Sequence, residues 1–219
     1  MMQLTPADCF TVSNKVKQYS FSHCLAYLQQ EGQKRYGQNF KIDTTDKQVI
    51  LKMLVYAIRD EETARALQID LKKGILLSGP AGCGKTALFY LIQSFFKSKY
   101  SYLIVPCRNI SHEFGHIGFE ALNHYKSKSA LQSKITIFCF DGLGSEQQIN
   151  HYGNECNVMA EIILSRYESF IENGTLTHVT TSLVIPKIEE GYGADLKTKM
   201  LRMFNVIEFE PDTTDKRVL

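Results

Sequence analysis

Residues 79–86 read Gly-Pro-Ala-Gly-Cys-Gly-Lys-Thr, and the spacing G-x-x-x-x-G-K-[ST] is that of a loop built to cradle phosphates. Its glycines let successive backbone N–H groups converge on phosphate oxygens, and the helix that such a loop opens adds the partial positive charge of its N-terminus. In this pattern Lys85 reaches the β and γ phosphates, and Thr86 offers its hydroxyl to a magnesium ion. The expected ligand is a nucleoside triphosphate, ATP with Mg²⁺. Its expected contacts are Gly79, Pro80, Ala81, Gly82, Cys83, Gly84, Lys85, Thr86 and Ala87.

A magnesium shell needs a further oxygen donor. The apolar run 135–140 (ITIFCF) ends in Asp141, at the carboxyl end of an expected strand, where α/β sheets place their ligands. The alternative role for Asp141 is to open the turn Asp-Gly-Leu-Gly, for which Asp and Gly are both suited. Hydrolysis would also need a group that orients water, normally an acid beside the metal-shell Asp. The residue there is Gly142. Glu146 is the nearest substitute, although a surface acid on a loop is its more ordinary reading.

Two other patterns carry chemistry on paper. His112-Glu-Phe-Gly-His116 spells H-E-x-x-H, a zinc peptidase spacing. Gly115 weakens the helix that would put both histidines on one face, and no further ligand follows, so solvated histidines are expected. Lys126, Lys128 and Lys134 lie along a segment that can follow a nucleic-acid backbone, but a solvated charged face is the expectation. Lys97 and Lys99 are expected to end a helix, where cations suit the dipole.

The elements that must position these residues follow from periodicity. Short apolar runs at 74–78, 102–106, 135–140, 178–183 and 206–209 alternate with helical segments at 85–98, 110–125, 154–172 and 187–203. Such alternation predicts βαβ crossovers and a mostly parallel, buried sheet. Upstream, Thr45 or Asp46 can cap a helix whose apolar positions Val49, Ile50, Met53, Leu54, Ala57 and Ile58 recur at helical spacing. Residues 20–36 suggest a helix interrupted by Gly32, and Phe40 to Ile42 a short extended piece.

At 219 residues, with 44% hydrophobic and 22% charged residues, the chain suits one α/β domain. The division expected is a helical N-terminal extension over 1–44 and a nucleotide-binding domain over 45–219. A formal net charge of +2 excludes a broad polyanion-binding surface and leaves only a local basic patch for DNA. The cysteines, at 9, 24, 83, 107, 139 and 156, show neither zinc nor disulfide spacing and read as reduced thiols. With no secretory leader and no bilayer-spanning apolar run, a soluble cytoplasmic protein is expected.

Taken together, GILLSGPAGCGKT (74–86), FDGLGSE (140–146), YGNECNVMAEIILSRYESF (152–170), HVTTSL (178–183) and EGYGADLKTKMLRMFNVIEF (190–209) resemble the AAA+ ATPases of the DnaC-like helicase-loader and IstB-like transposition-helper family. The resemblance implies a three-layer αβα P-loop NTPase with a five-stranded parallel sheet. It also implies homo-oligomers that place ATP between subunits, and a replicative helicase or transposase as partner. Three catalytic positions depart from the family together. The acid after Asp141 is Gly142, and the polar residue ending the fourth strand, usually Asn, is Ser182. The two arginine positions of Y-G-x-R-x-x-S-R-L are Asp195 and Lys199, and lysine lacks the planar fork of arginine. Arg166, Arg202 and Arg217 stay open as replacements. The resemblance implies nucleotide used as a switch, with hydrolysis weak or lost. The alternatives are an active ATPase that loads a helicase and, from another class, a P-loop small-molecule kinase.

Overall fold

A computed structural model describes residues 3–126, 136–146, 149–151 and 154–217. The N-terminal part holds a hairpin of β1 (Phe10–Ser13) and β2 (Val16–Tyr19), then helices α1 (Phe21–Tyr36), α2 (Lys47–Ile58) and α3 (Glu61–Ala66). Next come β3 (Gly74–Ser78), α4 (Lys85–Ile92), β4 (Tyr102–Pro106), α5 (Cys107–Ile117), α6 (Glu120–Tyr125) and β5 (Ile137–Leu143). A short hairpin of β6 (Ile149–His151) and β7 (Asn154–Cys156) precedes α7 (Val158–Asn173). The chain then runs through β8 (Thr177–Thr181), α8 (Ile185–Tyr192), α9 (Ala194–Met203) and β9 (Phe204–Glu208).

Five strands form one sheet in the order β4-β5-β8-β3-β9, with every pair parallel. Strand alternation explains how it is covered. Ile75 and Leu77 face a core built with Leu28, Met53, Leu54 and Phe89, whereas Leu76 faces a second core with Ile110, Phe114, Ile162 and Met200. Helices α1 to α4 therefore cover one face and α5 to α9 the other, and all of β3 and β8 is buried between them. His178 of β8 lies fully buried in an aromatic box of Tyr56, Phe89, Phe96 and Tyr102, with ring centroids 5.1–6.1 Å away.

Several boundaries differ from the sequence reading. Helix α1 runs through Gly32 without a break, because that glycine lies under the Phe40 ring. Phe40 to Ile42 forms no strand. The β1–β2 hairpin stands within a stretch expected to be helical, and α1 shares the core of the sheet's first face. The phosphate-loop helix ends at Ile92, so Lys97 and Lys99 lie beyond it around an isolated 3-10 turn at Ser98–Tyr100. Asp46 precedes α2 without capping it and instead accepts from the Asp43 amide. Helix α7 starts at Val158, capped by the Asn157 side chain, and 154–156 pairs as a strand. Among the described residues no helix is long and apolar enough to cross a membrane.

Candidate functional site

Strand β3 delivers the chain to Gly79, and the loop turns into α4 at Lys85. Gly82 takes φ of +79°, and a Cβ there would come 1.9 Å from Asp215 Oδ1, so only glycine fits both the turn and its neighbour. Lys85 is folded back over the loop. Its Nζ donates to the carbonyls of Gly79 and Pro80, each at 2.7 Å, and to Ser182 Oγ at 3.2 Å, with Cys83 Sγ 3.7 Å away. Burial holds this ammonium below the ordinary lysine value, opposed by Cys83 and Asp141, while Arg217 adds to the lowering. The ammonium is thus desolvated and bound only to neutral acceptors, an arrangement that favours exchange to phosphate oxygens.

Thr86 and Asp141 meet across the β3–β5 gap. Thr86 Oγ1 donates to Asp141 Oδ1 at 2.7 Å. Thr180 of β8 donates to the same carboxylate oxygen at 2.7 Å, and accepts from the Gly142 amide at 2.9 Å. Register explains the placement: β5 pairs with β8 through Phe140 and Val179, then shifts by a bulge before Leu143 pairs Thr181. The extra residue turns Gly142 to φ of +81° and leaves Asp141 facing the loop. A hydroxyl and a carboxylate are the hard oxygen donors that Mg²⁺ takes alongside water and phosphate, so the residues present fit that ion.

Beside the loop opens a pocket of about 600 Å³. Its cations are Arg35, Lys41, Lys85, Lys216 and Arg217, and its aromatic lining is Tyr36, Phe40 and Tyr90. Tyr36 and Phe40 are stacked with centroids 5.7 Å apart, and the Arg35 guanidinium lies 4.0 Å over the Tyr90 ring. Cations beside the phosphate loop and flat apolar rings next to them suit, respectively, the phosphates and the base of a nucleotide. Sequence reasoning missed Arg35, Tyr36, Tyr90 and Thr180. Only the two adjacent threonines at the end of a buried strand gave any signal.

The other residues singled out in the sequence fall elsewhere. Lys199 and Asp195 pair with each other on α9, and neither lines the pocket with Lys85. Arg166 is fully buried, donating to Thr177 Oγ1 and to the carbonyls of Thr136 and Leu176. Burial excludes it as an arginine presented to a neighbouring subunit. Arg202 is exposed and reaches the Tyr167 hydroxyl at 3.5 Å. Glu146 accepts from the Tyr192 hydroxyl and from the Gly144 amide, away from Thr86. Gly115 lies within α5 after all, with His112 and His116 exposed. Glu113 between them is held by His124 and Tyr125, each at 2.6 Å. Among the described residues no group of three or more His, Cys, Asp or Glu could hold a metal ion. Lys126 is described, whereas Lys128 and Lys134 lie outside the described residues.

No family model matches the chain. Over 51 residues it is 39% identical to an uncharacterized protein of Acanthamoeba polyphaga mimivirus, a stretch that is 23% of this chain and 16% of that protein's length. In solved structures the likeness is broader. A DnaC helicase loader superposes with a TM-score of 0.55 at 17% identity, covering 81% of this chain and 99% of that one. DnaI gives 0.50 at 21% identity, covering 79% and 89%. At such identities the shared feature is the fold alone, here a five-stranded parallel sheet covered by helices on both faces.

Proposed function

We propose, from a fold shared with a helicase loader, that this chain binds ATP with Mg²⁺ at the loop 79–86 and uses the nucleotide mainly as a switch for partner binding. The observation that carries the reading is the meeting of Lys85 and Thr86, at the start of α4, with Asp141 of β5, beside a cationic pocket that Lys85 and Thr86 line. Lys85 would take the β and γ phosphates, while Thr86 and Asp141 would share the ion. The ion would supply charge neutralisation between the phosphates.

Hydrolysis is proposed to be slow. A water-orienting acid after Asp141 is absent, and Gly142 sits in backbone that disfavours one. Losing an arginine supplied in trans alone costs about 10³–10⁵ in rate, and Lys199 is engaged by Asp195. The partner class favoured by the fold is a helicase acting on DNA, reached by a homo-oligomer assembled with nucleotide bound.

Thermal unfolding with and without MgATP tests the binding step. A ligand held only by the native state adds about 2.7 kcal/mol at a hundredfold excess over Kd, so a clear rise in Tm is expected. Lys85→Ala should abolish most of that rise. An equal rise in the variant would place the nucleotide elsewhere. Phosphate release measured on the same samples should stay near background, and brisk turnover would overturn the switch reading.

A further inference from the structure

Arg217 has two partners available to it. Its Nε lies 2.9 Å from Asp215 Oδ1, and Nη2 also bonds Oδ2. That pairing brings the Asp215 carboxyl down to about 2. Yet Arg217 also lines the pocket of Lys85 and Thr86, and its charge bears on the Lys85 ammonium. Asp215 in turn sits directly on the phosphate loop, where its Oδ1 is 1.9 Å from the place a Gly82 side chain would begin.

The residue between them fixes this arrangement. Lys216 donates its amide to Gly82 O at 3.1 Å, and its Nζ bonds the carboxylate of Asp46, which is 2% exposed, with Asp43 at 3.9 Å. The backbone at 216 is therefore pinned to the loop, and 215 and 217 can exchange partners without the segment leaving. A carboxylate on a loop whose purpose is to hold anions opposes phosphate by like charge, and it satisfies a guanidinium that phosphate would otherwise take.

Resting on the nucleotide reading above, we propose that Asp215 is a built-in anionic competitor at that site: it holds Arg217 while the loop is empty and yields it to the terminal phosphate of a bound triphosphate. Phosphate contacts must offset the lost Asp215–Arg217 pair, so the exchange favours the more highly charged ligand. Asp215 and Arg217 together then determine how strongly ATP is preferred over ADP. Both act on affinity, and neither is assigned a part in bond breaking.

The test is calorimetric titration of the full chain with MgATP and with MgADP, for wild type, Asp215→Asn, Arg217→Gln and the double variant. Melting temperatures without nucleotide check the fold, and both side chains lie at the surface. Asp215→Asn should tighten ATP about tenfold and ADP less. Arg217→Gln should weaken ATP by about as much and bring the two nucleotides closer together. Asp215→Asn should tighten ATP less in the Arg217→Gln background than in wild type, since only the like-charge repulsion is then left to remove, and an equal gain in both backgrounds would overturn the contest for Arg217. If wild type binds ATP and Asp215→Asn binds it no tighter, the competitor is overturned while the nucleotide site stands. If none of the four binds nucleotide, the nucleotide reading falls and the competitor with it. Binding by Asp215→Asn but not by wild type would support a competitor strong enough to close the site.

Discussion

At Gly142 the backbone turns through φ of +81°, and its amide donates to the threonine hydroxyl that also holds Asp141. A Cβ there would meet Ser145 Oγ at 2.8 Å. The missing acid is thus a property of the bulge as much as of one codon, because any L side chain at 142 is strained before its chemistry can be used. Gly142→Asp is expected to lower stability by about 1–3 kcal/mol, read as a shift in the urea midpoint, with phosphate release no faster than wild type. A stable variant with raised turnover would show that the bulge relaxes around an acid. Ser182 accepts from the Lys85 ammonium directly, which gives it a place beside the phosphate loop that its position at the end of a buried strand does not by itself suggest.

At the scale of elements, α1 reaches the nucleotide pocket by way of a single close approach. Gly32 is buried beneath Phe40, and a Cβ on it would fall 2.0 Å from the ring. Gly32→Ala must displace Phe40, which stacks on Tyr36 in the pocket wall. It is expected to weaken MgATP binding several-fold while helix content holds or rises, since alanine is the better helix former by about 1 kcal/mol. Titration beside far-UV circular dichroism checks this, and unchanged affinity would remove α1 from the site. The same contact shows what the sequence could and could not reveal. GILLS and YLIVP were legible as strands to the residue because each is an uninterrupted apolar run, the first buried on both faces and the second an edge strand with Leu103 exposed. The place of the loop between β3 and α4 was legible from its motif, whereas Asp141, expected just past a strand ending at residue 140, lies within β5 at its bulge. Helix α1 was misread at Gly32 because propensity argues for a break there, whereas the determining contact comes from Phe40, eight positions further on. Arg35, Tyr90 and Thr180 stayed hidden for the same reason: only the fold brings them to the loop.

For the whole molecule, the box around His178 predicts a sensitivity to acid. Burial, with Arg166 and Arg59 adding to it, pushes this imidazole from 6.5 down to about 3. Between those values the unfolded chain binds a proton that the folded chain refuses. Stability from this group is therefore complete above about pH 6.5 and falls as pH drops toward 3, by up to about 1.4 kcal/mol per pH unit. Urea unfolding near about pH 7 and about pH 5 should show the loss. His178→Asn, whose amide oxygen can still accept from the Ile75 amide as Nδ1 does at 3.2 Å, should be weaker overall but flatter with pH. An equal slope in the variant would assign the acid sensitivity to other groups.

The strand order also governs how the molecule comes into being. Strand β3 carries the phosphate loop, but its two neighbours arrive late: Ile75 pairs with His178 on one side and with Asn205 on the other. During synthesis at about 5–20 residues per second, on the order of ten seconds pass between the emergence of β3 and that of β9. Until β8 emerges β3 lacks both ladders, and until β9 follows it still lacks one. Closing such distant pairings is entropically slow, so the nascent chain exposes an apolar, incompletely paired strand throughout that interval. The site for the nucleotide is among the last features to form, and a ribosome-bound intermediate would need shielding from its neighbours before it could bind anything.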